Sequence, residues 1–236
     1  MSPGEELRLA CIDSDAPPLF TPISSAGGRR GFEPALAELI GSRLERPVRW
    51  VPLAWPEMIP AVNSGHADAV LCGQGITEQR RAAVDFTRPY AVFHEGVLVR
   101  RGSGIGDAGD LSGRRVAAIE ASTNLALAET FTAAVLVPFG ADGSDDVYAD
   151  MLAALRTGDV DAVVDDDVVF VPLGETDPDF ELAFTVKTGN RWGIAVAKNR
   201  PDLRAALDRA LAGLIADGSH RAVWSEWLPT LDYPFP

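Results

Sequence analysis

The sequence predicts an α/β protein with mainly parallel sheets, built as two similar halves, and three observations carry that expectation. Short apolar runs such as LRLACI (7–12), ADAVLC (67–72) and WGIAVAK (192–198) alternate with segments of helical period. Strands apolar on both faces and separated by helices are what a parallel sheet covered on both sides requires. The segment GHADAVLCG (65–73) also shares its pattern with GDVDAVVDD (158–166): a glycine, a charged or polar step, Asp-Ala, valine, then a polar turn.

Taken in order, residues 7–12 form a compact strand, followed by a polar stretch rich in proline and glycine up to Arg30. From Gly31, the residues Phe32, Leu36, Leu39 and Ile40 fall on the i, i+4, i+7, i+8 stripe of an amphipathic helix. PVRWVPL (47–53) reads as a strand, WPEMIPAVNSG (55–65) as a short helix and ADAVLC as a strand. The pattern then restarts. AVFHEGVLVR (91–100) and RRVAAIE (114–120) are strand-like, TNLALAETFTAA (123–134) and DVYADMLAALRTG (146–158) helical, and DVDAVVD (159–165) a strand. WGIAVAK is a further strand. Pro201 and Asp202 open a last helix with Leu203, Leu207, Leu211 and Leu214 on one face.

The 236 residues admit one large domain or two smaller ones, and 47% hydrophobic content is enough to bury a core. Against 21 Lys and Arg stand 34 Asp and Glu, a net charge of −13. Such a surface repels phosphate backbones and anionic headgroups, so neither nucleic acid nor bare membrane is expected as a partner. Cys11 and Cys72 lie in apolar runs and read as buried thiols on neighbouring strands; a disulfide between them is the alternative in an oxidising compartment. They and the scattered His66, His94 and His220 lack metal-ligand spacing. With no P-loop, dinucleotide fingerprint or Ser-His-Asp arrangement either, no metal and no cofactor is expected. MSPGEELRLACID lacks the basic and apolar regions of a signal peptide, and no run is long enough to span a membrane.

GHADAVLCGQGITEQRRAAVDFTRPY (65–90) resembles the signature of the family 3 extracellular solute-binding proteins, the amino-acid receptors of bacterial ABC importers. GFEPAL (31–36), RTGDVDAVVDD (156–166), WGIAVAKNRPDL (192–203) and IADGSHRAVWSEWL (215–228) match that family in the same order. The resemblance implies a two-lobed periplasmic-binding-protein-like type II fold. Its first lobe would comprise about 1–90 and 192–236, its second 95–187, with hinge segments at 91–94 and 188–191. The ligand would sit in the cleft between lobes that close by hinge bending. The implied function is capture of a small amino-acid-like ligand, by a monomer that delivers it to the membrane permease of an ABC importer. The implied location is periplasmic or at the cell surface, and cytoplasmic should Met1 be the native start. The alternative on the same scaffold is a cyclohexadienyl (prephenate or arogenate) dehydratase, with Asp166 as general acid. A sensor module of a larger signalling system is a third reading.

The resemblance also assigns roles to residues. Arg80, after the strand ADAVLC, would grip the ligand carboxylate, because its planar fork meets a carboxylate bidentately as lysine cannot. A surface pairing with Glu78 or Asp85 is the alternative, for which Arg81 is the better candidate. Gly73 and Gly75 would leave backbone N–H donors open to the same carboxylate, or serve a tight turn. Ser122 and Thr123 match a hydroxyl pair at a helix start, either touching the ligand or only capping the helix; Ala121 stands where the family has glycine. Asp166 would take the ligand's ammonium, while Asp165 and Asp167 beside it suggest a solvated turn instead. Trp55 would be one aromatic wall, and Ala16 occupies the place of the other. Asp13 and Asp15 would meet a cationic side chain or form a solvated loop.

Overall fold

The structure, a computed structural model, describes residues 4–140, 144 and 146–236. Its elements are β1 (Leu7–Cys11), α1 (Phe32–Leu44), β2 (Val48–Pro52), α2 (Met58–Ser64), β3 (Ala69–Val70), α3 (Glu78–Ala83), β4 (Val84–Arg100) and β5 (Arg115–Ile119). There follow α4 (Thr123–Ala128), β6 (Val135–Phe139), α5 (Val147–Thr157), β7 (Ala162–Asp166), α6 (Asp167–Thr176), β8 (Phe180–Ala197), α7 (Pro201–Ala216) and α8 (Ser219–Trp227). Two units form. The first runs to Val92 and resumes at Asn190; the second is Phe93–Gly189. The strands β4 and β8 contribute residues to both.

In the first unit β1 is central. It pairs in parallel with β2 (Leu7↔Val48 to Cys11↔Pro52) and with β3 (Leu9↔Ala69), and β3 pairs antiparallel with β8 (Val70↔Ala195). Apolar side chains on both faces of β1 are buried, as a strand covered on two sides demands. Helix α1 begins at Gly31. Its φ of 135°, and a Leu19 carbonyl oxygen only 2.3 Å from where a Cβ would lie, admit glycine alone. Phe32, Leu36 and Ile40 of α1 and Leu203, Leu207, Leu211 and Leu214 of α7 are buried, as their periods predict.

Two polar networks sit inside this unit. Asp68, 5% exposed, is met by Arg8 at 3.2 Å, Arg46 at 3.1 Å and Arg200 at 3.5 Å. Burial opposes its ionisation, but the hydrogen bonds and charge of Arg8 with the charge of Arg46 outweigh that and hold its pKa below the ordinary value. His220 is buried beside Phe32 and stacked on Trp224. Its Nε2 lies 2.9 Å from Tyr90 O, which only accepts, so Nε2 carries the proton and Nδ1 accepts from the Tyr233 hydroxyl at 3.1 Å.

The second unit repeats this arrangement. Its central β5 is parallel to β6 and β7, and β7 is antiparallel to the later half of β4, from Glu95↔Asp166 to Val99↔Ala162. Val97, Val99, Val116, Ala118, Ala162 and Val164 form its core with Ile105, Leu111 and Phe131. Arg100 closes the end of α5 by donating to Leu155 O at 2.7 Å and Val160 O at 2.8 Å.

Two expectations are corrected, and further elements lie outside the sequence pattern. The ladder of β3 covers only Ala69–Val70 of ADAVLC, because the chain turns aside after Leu71. The helix expected over 123–134 stops at Ala128, and Ala133 takes a left-handed φ of 59° ahead of β6. Strand β6 itself has no counterpart in the sequence pattern: it is half exposed, with no clean alternation to betray it. Helix α6 and the first half of β8 likewise lie outside the expected elements.

Ala121, just before α4, has a φ of 57°. The backbone therefore keeps a left-handed path there, at the cost a Cβ imposes, about 1–2 kcal/mol. Ala121→Gly is expected to raise stability by about 0.5–1 kcal/mol, the relief being partly offset by glycine's greater freedom when unfolded; denaturant midpoints of the two proteins check this. A second expectation concerns pH. Burial depresses the His220 pKa from 6.5 to about 4 in the folded protein. The unfolded chain takes up that proton first, so this contribution is full above about pH 6.5 and is lost as pH falls towards 4. Melting at pH 7 and pH 5 is expected to show a larger loss for the wild type than for His220→Gln.

Candidate ligand-binding site

The residues singled out from the sequence fall into one group in each unit. In the first unit Thr77 caps α3, its hydroxyl accepting from Arg80 N at 3.2 Å, which fixes the backbone of Arg80 in the first turn of the helix. The half-buried guanidinium donates from Nη1 to Gly75 O at 3.0 Å and lies 5.4 Å from the centre of the Trp55 ring. Arg80, Gly75 and Trp55 are thus brought together. Trp55 opens a 3-10 turn and is half-buried rather than a core side chain. Arg81 makes the surface pairing with Glu78, at 3.9 Å.

Gly73 departs from its expected role. Its N–H donates to Glu33 Oε1 at 2.7 Å, so this donor is engaged inside the protein. Its φ of 58° satisfies the turn reading, and its Cα faces the Trp192 ring. The loop is tied further to β8: Gly193 N donates to Gln74 O at 3.1 Å, Ile76 N to Arg191 O at 2.8 Å, and Gly75 bridges Trp192.

Asp13 stands apart from this group. It is exposed and accepts from Ile23 N at 2.7 Å, in a recess lined also by Arg49 and Trp50 that includes neither Arg80 nor Trp55. Ala16, buried, bridges Phe20.

In the second unit Ser122 caps α4. Its hydroxyl accepts from Leu125 N at 3.0 Å and donates to Ile119 O at 2.6 Å, so the capping role is filled. Thr123 is the first residue of that helix and half-buried. Asn124 follows, buried, and donates to Asp165 Oδ1 at 3.1 Å, which links the start of α4 to the end of β7.

The three aspartates are not a solvated turn. Asp165 is 8% exposed and Asp167 7% exposed, the latter accepting from His94 N at 3.1 Å. Asp166 lies opposite Glu95 in the ladder, and its Oδ1 is buried with no hydrogen-bond partner among the described residues. Burial, then the charges of Asp165, Glu95 and Asp167, hold the Asp166 carboxyl well above the usual carboxylate range. Burial pushes Asp165 up to about 6 despite the hydrogen bonds it accepts from Asp166 and Asn124. Like charges directly opposite on a ladder repel, and a proton retained on Asp166 relieves that.

Sequence reasoning missed Glu33, Tyr90, Glu95 and Asn124. The available signal was an acid on an apolar helix face (GFEPAL) and another inside an apolar strand (HEGVLV), each of which needs a buried partner.

Residues 9–230 match the bacterial extracellular solute-binding proteins, family 3. The ABC transporter glutamine-binding protein GlnH of Bacillus subtilis (strain 168) is 26% identical over 209 residues, 86% of this chain and 74% of that protein. A solved ancestral arginine-binding protein bound to glutamine is similar at a TM-score of 0.85 and 27% identity, over 97% of this chain and 99% of that one. The ancestral amino acid-binding protein AncCDT-1, a precursor of cyclohexadienyl dehydratase, gives a TM-score of 0.80 at 26% identity over 94% and 95%. The fold is accordingly the two-lobed type II periplasmic-binding-protein fold. Motif order, strand topology and a match along nearly the whole length agree: the chain belongs to the bacterial extracellular solute-binding proteins of family 3.

Proposed function

We propose that this solute-binding protein captures a small amino acid, with Arg80 as the anchor for its carboxylate and Asp166 as the partner for its ammonium. The observation that carries the reading is the setting of Arg80. Its guanidinium is held by Gly75 O and backed by the Trp55 ring, so the planar fork is oriented before a carboxylate arrives. Asp166 complements it. A carboxyl whose buried Oδ1 has no hydrogen-bond partner among the described residues gains most from an arriving cation, whose charge favours the ionised form so that the proton leaves to water. In this reading Gly75 assists Arg80 and Thr123 contributes a hydroxyl from the start of α4. Ser122 and Gly73 act through backbone order, and Asp13 is left out of the reading because its recess includes neither Arg80 nor Trp55.

Glutamine and arginine are the first ligands to try, since relatives are named for them and the acidic side chains here favour polar or basic amino acids over acidic ones. The protein would act as a monomer outside the cytoplasm and hand its ligand to the permease of an ABC importer. A carboxyl whose pKa is raised by burial, as that of Asp166 is, is also what a dehydratase would need as general acid, which makes prephenate a necessary control.

A thermal-shift panel of amino acids, polyamines and prephenate is expected to show stabilisation by at least one amino acid, and incubation with prephenate to yield no aromatic product. For the amino acid found, Arg80→Ala is expected to weaken binding about a hundredfold or more in titration calorimetry, roughly 2.7 kcal/mol. A change under about threefold would remove Arg80 from the site.

A further inference from the structure

Glu33 is 1% exposed in the first turn of α1, whose Phe32 and Leu36 are buried as well. Its backbone is held by the preceding loop: Phe32 N donates to Pro18 O at 3.0 Å and Glu33 N to Leu19 O at 3.2 Å, an approach that only a glycine at position 31 permits. A single oxygen, Oε1, accepts from both the Gly73 amide at 2.7 Å and the Tyr90 hydroxyl. A carboxylate only accepts, so Tyr90 donates. Burial raises the carboxyl's pKa, opposed by these two donors and by the charge of Arg29.

From this residue we infer that Glu33 is a positioning residue for ligand capture: by fixing the left-handed Gly73 and Tyr90 it sets the 73–75 loop whose Gly75 carbonyl orients Arg80. The inference rests on the carboxylate-anchor reading of Arg80. Each link is a contact within the first unit. Gly73 is the pivot, with its φ of 58°, and two residues on, Gly75 O receives Nη1 of Arg80 at 3.0 Å. The far side of the loop is held by Arg191 and Gly193 of β8. Tyr90 in turn is pinned through its carbonyl by His220 at 2.9 Å. Remove the carboxylate and the loop keeps its contacts to β8 but loses the donor–acceptor pair that fixes its start. Gly73, having no side chain to restrain it, then samples other conformations, and the Gly75 carbonyl moves with it.

The test separates this role from a general loss of structure and from a failure of the Arg80 reading. First, without any amino acid, phenylglyoxal modification of Arg80 is followed by peptide mass mapping. Glu33→Leu is expected to change the Arg80 rate several-fold and to speed hydrogen exchange of the Gly73 amide, while Glu33→Gln, which keeps an acceptor, stays near wild type. An Arg80 rate unchanged in Glu33→Leu overturns the inference. Second, L-glutamine and L-arginine binding is measured by calorimetry in wild type, Glu33→Leu, Arg80→Lys and the double variant, at temperatures where circular dichroism shows all four folded. Glu33→Leu is expected to weaken binding about tenfold, with little further loss once Arg80 is lysine, because both changes remove the same oriented fork. Fully additive losses mean a structural role only and overturn the inference. If Arg80→Lys binds like wild type, the carboxylate-anchor reading fails by itself, whatever the first experiment shows. Should Glu33→Leu not fold, Glu33→Asp, one carbon short of Gly73, must show the same pattern in smaller measure.

Discussion

A carboxylate taken out of water must be met by donors or keep its proton, and the interior of this protein is arranged around acids that obey this rule in different ways. Asp68 is answered by arginines and stays charged. Glu33 is answered by a backbone amide and a phenol, both neutral, and its pKa rises. Asp165, Asp166 and Asp167 share one region of the second unit beside Glu95, and there burial, the largest cause for each, raises the pKa of all three aspartates. The first solution builds structure and the second aims a loop. The third leaves a carboxyl ready to ionise, releasing its proton to water, when a positive charge arrives beside it.

The same rule explains what the sequence makes legible. Helix α1 and the leucine face of α7 are legible because apolar spacing alone specifies which side turns inward. Arg80 is singled out through the resemblance of 65–90 to the family signature, and within that short segment Thr77 caps its helix while Gly75 O receives its guanidinium. Glu33 is not. Its partners are 40 and 57 positions away, and an acid on an apolar face looks like an error until Gly73 and Tyr90 are beside it. The aspartate triplet misleads in the opposite direction. Consecutive acids suggest solvent, yet the pleat of β7 and the start of α6 turn them toward Asn124, Glu95 and the His94 amide. Strand β6 escapes for a simpler reason, since its half-exposed apolar run lacks the alternation that marks a strand.

The glycines show how a site moves between backbone and side chain. Gly73 serves through its torsion and its inward-facing amide, Gly75 through its carbonyl, and Gly31 through the space it leaves for Leu19. Ala121 is the counterpart that lacks this freedom. It holds the left-handed turn ahead of α4 against its own Cβ, so the helix start is kept by Ser122 and by packing rather than by local preference.

The division of the chain at Val92 and Asn190 has a consequence for biosynthesis. The second unit is one uninterrupted stretch, complete once Gly189 has left the ribosome. The first unit is not: Phe32, made early, is covered by His220 and Trp224, and Trp192 is the ring against Gly73. Its core therefore stays open until α8 has been made, and the half that carries Arg80 is the half that must wait for that helix.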